Sequence, residues 1–185
     1  MRTYLKDELE RFLMAIDQAL GQPVEVIVIG GTAAALHYGV TRATHDIDTW
    51  TTVKGDLAAA AETARLATGL DIPVTQSGVA DAPHDFESRL ERVLPHLDRL
   101  RVWVPEKHDL ALMKAMRAYE HDLQAIAESH AHSRLDLDTL VGRFQDEMTP
   151  IGDPARIRGN VLAVVERLFL DRVEDVERRL RKPRP

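Results

Sequence analysis

Cysteine is absent from all 185 residues, which excludes disulfides and thiolate metal sites and removes any argument for a disulfide-stapled secreted scaffold. Long apolar runs are missing too. No uninterrupted stretch reaches the length that spans a bilayer, and Met1 to Leu20 carries no charged leader followed by an apolar core, so a soluble, cytoplasmic chain with no membrane partner is expected. The third absence is surplus positive charge. With 24 Lys and Arg against 30 Asp and Glu the net charge is −6, which argues against a broad nucleic-acid-binding surface. Basic residues do gather locally, at Arg89, Arg92, Arg99 and Arg101 and in the terminal group Arg178, Arg179, Arg181, Lys182 and Arg184. Such a tail reads as a solvated terminus.

What is present is a good supply of periodic apolar residues, enough at this length for one well-filled core with a helical appendage. Leu5, Leu9, Phe12, Leu13, Ile16 and Leu20 recur at helical spacing, predicting an amphipathic lid helix that ends at Gly21 and Pro23. Val24 to Ile29 is a β-branched run, read as a buried strand. The alanine-rich stretch from Asp56 to Ala67 predicts a helix ending near Gly69. A further strand is expected over Ile72 to Gln76, a loop over Ser77 to His84, and a half-buried strand over Leu100 to Val104, which leads through Pro105 into a helix carrying Lys114. Beyond that the chain reads as helical. One helix starts at Asp136 or Asp138 and runs to about Met148; Pro150, Gly152 and Pro154 then break the chain before a long final helix with a stripe from Ile157 to Leu180.

The chemistry concentrates between Gly30 and Trp50. Asp46 and Asp48 flank Ile47, and in a strand residues at i and i+2 share a face, so both carboxylates stand side by side while Ile47 enters the core. Hard cations such as Mg²⁺ take oxygen ligands and commonly hold one or two carboxylates together with substrate phosphates. Upstream, the buried strand stops at Gly30-Gly31, and Thr32 is placed to cap a short apolar helix from Ala33 to His37, whose free N–H groups suit a triphosphate. Arg42, with its planar fork, is a further candidate for the phosphates. Lys114, Arg117 and His121 follow at three- and four-residue offsets, predicting one helical face with Asp122 at its flank. Trp50 and Trp103 are read as packing residues that could alternatively frame a base-stacking site. The histidines His108, His121, His130 and His132 lack tight ligand spacing, so zinc is not expected.

Strand, Gly-Gly-Thr, helix, then Arg-x-Thr-x-Asp-Ile-Asp resembles the glycine and Asp-x-Asp motifs of the DNA polymerase β-like nucleotidyltransferase superfamily. Downstream, Leu100 to Glu106, then Asp109 to Arg117, then His121-Asp122 resembles the small bacterial group of AbiEii-like toxin nucleotidyltransferases. About a hundred residues, from Val24 to Ile126, carry the likeness. Gly31-Thr32 stands where the superfamily commonly has Gly-Ser, and Asp98, Glu87 and Asp122 are alternatives for a third carboxylate.

The resemblance implies an α/β (α+β) fold with a small mixed sheet flanked by helices and a C-terminal helical region. The division expected from it is a nucleotidyltransferase core over 1–126 and a helical region packed on it over 127–185. It further implies transfer of a nucleoside monophosphate from a nucleoside triphosphate, with Asp46 and Asp48 holding Mg²⁺ and Gly30, Gly31, Thr32, Arg42 and Arg117 meeting the nucleotide. Lys114 would stabilise charge at the transferred group, and Asp122 would orient the acceptor or act as its base. A tRNA or other RNA, or a protein, would be the acceptor, and a cognate antitoxin the partner. Two alternatives stay open: an antibiotic nucleotidyltransferase of the aminoglycoside or lincosamide kind, and a non-catalytic antitoxin-like binding protein.

Overall fold

Leu9, Phe12, Leu13 and Ile16 form the buried face of the first helix, α1 (Lys6–Ala19). Each such side chain contributes about 1.5–3 kcal/mol relative to exposure, which makes α1 a core element rather than a lid. The computed structural model describes residues 2–77, 81–148 and 153–181. Two units divide the chain: Met1–Gly78 with Leu90–Pro105, and Val79–Arg89 with Glu106–Pro185.

In the first unit, α1 is followed by β1 (Val24–Ile27), α2 (Gly30–His37), β2 (Ile47–Thr49), α3 (Gly55–Thr68), β3 (Val74–Gln76), β4 (Glu91–Val93) and β5 (Leu100–Val104). Apolar Val26 and Val102 face each other where β1 runs parallel to β5, and β4 pairs with β5 antiparallel, giving the order β1-β5-β4. β2 and β3 form a separate parallel pair in which Asp48 registers with Thr75. A single antiparallel bridge, Val28 to Thr49, ties the end of β1 to β2. Helix α1 packs on α3, whose buried face is Leu57, Ala60, Ala61 and Ala64. Gly69 closes α3 at φ +67°, a left-handed cap that glycine adopts without steric cost.

The second unit has a short 3₁₀ turn (Phe86–Arg89) and then α4 (Lys107–Ala115), α5 (Glu120–His132), α6 (Leu137–Glu147), α7 (Pro154–Leu168) and α8 (Val173–Arg181). Helix starts follow the capping chemistry in the sequence. Glu106 accepts from the His108 N–H, Asp136 from Thr139 and Asp153 from Ala155, and Pro154 occupies the first turn, where its missing N–H costs nothing. Leu112, Ile126, Leu140, Val141, Val161, Val165 and Val176 lie at the centre of this unit's core. The fold is thus mixed α/β, with small mixed sheets among helices and a C-terminal region of several helices.

Two local expectations change. The predicted final helix is two helices, α7 and α8, separated by Phe169 and a 3₁₀ turn at Leu170–Arg172, because the stripe shifts there: Leu170 is exposed while Val173 packs on the core. Pro154 stands in the first turn of α7, where the final helical region begins as expected. Of the central arginines, Arg89 pairs with Asp109 and Glu147 and Arg101 with Glu25, while Arg99 donates to the Leu20 carbonyl and Arg92 is exposed. In the terminal group Arg179 pairs with Asp138 and Arg181 with Glu177. Residues 78–80 of the expected loop, Pro150, Gly152, Lys182 and Arg184 lie outside the described residues.

Candidate active site

The β1 run ends at Ile29, and the chain turns at Gly30, which has φ +68°. An L side chain is strained in that conformation. A Cβ built at Gly30 would lie 3.2 Å from Asp48 Oδ2, so the turn has two reasons to be glycine. Its neighbour Gly31 is pressed in the same way, since a Cβ there would meet Thr44 Oγ1 at 3.0 Å. The glycine pair and the carboxylate strand are therefore one site.

Backbone bonds fix the relation. The Ile29 N–H donates to the Asp48 carbonyl at 2.9 Å, and the Trp50 N–H donates to the Ile27 carbonyl at 2.8 Å. Ile47 is 1% exposed, anchoring β2 in the core as the alternation predicts, and Asp46 and Asp48 on either side are half-buried. Asp46 itself precedes the ladder, since β2 begins at Ile47.

Thr32 plays a different part from the predicted cap. Helix α2 starts at Gly30 with Ile29 as its cap residue, which places Thr32 inside the first turn. Buried there, its Oγ1 donates to the Asp46 carbonyl at 2.7 Å. Thr44 Oγ1 approaches the same carbonyl at 3.4 Å, and Thr44 is in turn bridged to Tyr4, with the Tyr4 N–H donating to the Thr44 carbonyl at 2.7 Å and the Thr44 N–H returning a bond at 3.0 Å. Two hydroxyls thus brace the peptide that carries Asp46. The motif Arg-x-Thr-x-Asp-Ile-Asp contains Thr44 but gives it no role, since a threonine in a loop carries no periodic signal. Arg42 is exposed on the same loop.

Among the described residues no group of three His, Asp or Glu is placed to hold a metal. Asp98 and Glu87, offered as third carboxylates, are both exposed. Two carboxylates one residue apart are a donor set that fits a magnesium ion, which dehydrates reluctantly and is usually held by one or two carboxylates with water and substrate phosphates. Asp48 Oδ2 lies against the Gly30 turn, where a built Cβ would be 3.2 Å from it.

In the second unit Lys114, Arg117 and Asp122 come together, but not on one helical face. Helix α4 ends at Ala115 and α5 begins at Glu120, so the cluster spans a turn in which Ala118 has φ 50°. Asp122 is fully buried; Arg117 Nη2 donates to its Oδ1 at 3.0 Å, and Lys114 Nζ lies 3.5 Å from the same atom. Lys114 is itself buried. Asp122 Oδ2 has no hydrogen-bond partner among the described residues, the His121 Nε2 being 3.7 Å away.

A second charged network in this unit was not anticipated. Asp109, fully buried, receives two bonds from Arg89, at 2.9 and 3.1 Å, and one from Arg143 at 2.9 Å. These bonds, with that to Glu147, hold the Arg89 guanidinium more firmly protonated than usual, although burial opposes this. Burial alone would raise the pKa of Glu106, yet bonds from the His108 ring and backbone N–H and from Arg143 outweigh it and hold the carboxyl at about 2. Because His108 Nε2 accepts the Asp136 N–H at 2.8 Å, the ring proton sits on Nδ1, facing Glu106. This network pins α4 and α6 together and serves structure.

The family described as "Nucleotidyltransferase of unknown function (DUF6036)" matches residues 7–178, nearly the whole chain. The chain belongs to this family. It is accordingly an enzyme, a nucleotidyltransferase, with a nucleotide as substrate. No curated protein and no solved structure matches it. The nucleotidyltransferase has no helix, among the described residues, long and apolar enough to cross a membrane.

Proposed function

We propose that this nucleotidyltransferase moves a nucleoside monophosphate from a nucleoside triphosphate to an acceptor hydroxyl, in an RNA such as tRNA or in a protein, as the toxin member of a toxin–antitoxin pair. One observation supports the site above all others: Gly30, at φ +68°, lies directly beneath Asp48 Oδ2. A phosphate-cradling turn and a metal-ligating carboxylate need this adjacency, whereas a merely structural turn does not. The toxin reading rests on the AbiEii-like likeness of the Leu100 to Asp122 stretch.

In the proposed reaction the acceptor oxygen bonds to the α-phosphorus, the α–β phosphoanhydride bond breaks, and pyrophosphate leaves with the bonding pair while the hydroxyl proton passes to a carboxylate or water. Asp46 and Asp48 hold magnesium, which when bound supplies neutralising charge at the phosphates. The backbone N–H groups of Gly30, Gly31 and Thr32 cradle the triphosphate, and Arg42 meets it from the loop. Lys114 supplies positive charge to the transferred group. Asp122, fully buried, holds Lys114 and Arg117 in place.

The test is incubation of the purified protein with magnesium, each radiolabelled nucleoside triphosphate and total cellular RNA, beside Asp46→Asn. Label should enter one acceptor class and fall by on the order of a hundredfold or more in the variant, as when one electrostatic group is removed from an active site. Undiminished labelling by a folded Asp46→Asn protein would remove these carboxylates from the reaction.

A further inference from the structure

The turn from α4 to α5 gathers four unusual features within six residues. Ala118 and Leu94 are the non-glycine residues with positive φ among the described residues, and such strain persists where surroundings impose it, often at sites of function. Tyr119, next in the chain, is 61% exposed. Its ring sits 5.6 Å from that of His121, tilted by 38°, so the two aromatic groups form a joint outward surface. Beside them Arg117 is exposed, with Nη2 engaged by Asp122, and below lies the buried Asp122 carboxylate with its unpartnered Oδ2.

The Arg117–Asp122 pair by itself is a structural contact. It does not explain why an aromatic pair stands exposed directly beside it. An aromatic face next to a guanidinium matches the two halves of an unpaired nucleotide, since any base has a π-face to stack and its phosphate carries the complementary charge. The carboxylate nearest Arg117, Asp122 at 3.0 Å, is shared with Lys114 at 3.5 Å, so two cations meet one anion there, and Glu120 is held by Arg167 at 2.6 Å.

We propose that this turn is the docking platform for the acceptor, which is single-stranded RNA: an unpaired base stacks on Tyr119 and His121 while its phosphate meets Arg117. The inference deepens the proposed function and rests on it for the RNA to be an acceptor rather than a bystander. Stacking rather than charge supplies the hold, in keeping with the −6 net charge. Neutralising a single phosphate gives a shallow salt dependence, a log–log slope of about −0.7 for a single strand. Paired bases cannot offer their faces, so a duplex is refused.

The experiment is fluorescence anisotropy of the full chain with a labelled adenylate RNA of about ten nucleotides, alone and annealed to its complement, alongside equilibrium dialysis of magnesium and nucleoside triphosphate. The single strand should bind at least about tenfold more tightly than the duplex. Tyr119→Ala and Tyr119→Leu should each lose about tenfold or more in RNA affinity, Tyr119→Phe should retain it, and triphosphate binding should be the same in all four proteins. Equal RNA affinity in Tyr119→Leu and the parent, a preference for duplex, or labelling confined to a protein acceptor would each overturn the platform. Failure of the proposed reaction is read separately, as nucleotide transfer that survives Asp46→Asn.

Discussion

At Gly30 a single residue carries two constraints that are usually separate, a left-handed backbone and a carboxylate oxygen that an added Cβ would meet at 3.2 Å. Gly30→Ala should therefore cost about 1–3 kcal/mol of stability from strain alone and also displace Asp48. The expected outcome is a lowered melting temperature with nucleotide transfer lost well beyond what the folded fraction explains. Thr32 makes a subtler case. Its hydroxyl serves the Asp46 carbonyl, so Thr32→Ser should keep activity, whereas Thr32→Val leaves that carbonyl short of a bond and should cost about 1–2 kcal/mol. If the brace positions Asp46, Thr32→Val lowers kcat more than it raises KM for the triphosphate; a pure rise in KM would make Thr32 a nucleotide contact instead.

Among the elements, α4 shows how a helix start is tuned. Glu106 is held at about 2 against an ordinary 4.5. A depressed carboxylate pKa means that the ionised form stabilises the folded chain at pH above 4.5, and that this contribution drains away as pH falls from about 4.5 to about 2. Glu106→Gln should thus melt earlier at neutral pH, and its melting temperature should change less than the parent's between about pH 5 and pH 3. An unchanged acid profile would mean that other carboxylates govern it. The network around Asp109 shows why such a change is felt along two helices: a buried carboxylate meeting two guanidinium groups is costly to leave half-paired.

On the scale of the whole molecule the testable property is toxicity. Induced expression should arrest growth of a bacterial host, and Asp48→Asn should relieve the arrest at equal protein level. Arrest that persists in the variant would separate toxicity from nucleotide transfer. The negative net charge also predicts that any RNA contact is local.

The Gly-Gly-Thr and Asp-Ile-Asp motifs and their order were legible because each needs particular residue types at fixed offsets. The core faces of α1, α3 and β5 were legible from period alone. Less was legible where long-range bonds decide. No local pattern tells that Thr32 spends its hydroxyl on Asp46 fourteen residues away, or that Arg89 is claimed by Asp109 and Glu147, so the central arginines read as a basic stretch although Arg89 and Arg101 are ion-paired. Likewise the three- and four-residue offsets of Lys114, Arg117 and His121 suggested one helix, yet α4 stops at Ala115 and Asp122 gathers the two cations across the turn. The sequence by itself determined which residues are apolar, which turn needs glycine and which acids flank an apolar residue, because these follow from covalent geometry and short-range spacing. Only the tertiary structure decided which charges are consumed by partners and which stay exposed, because that depends on what folding brings within about 3 Å of each polar atom.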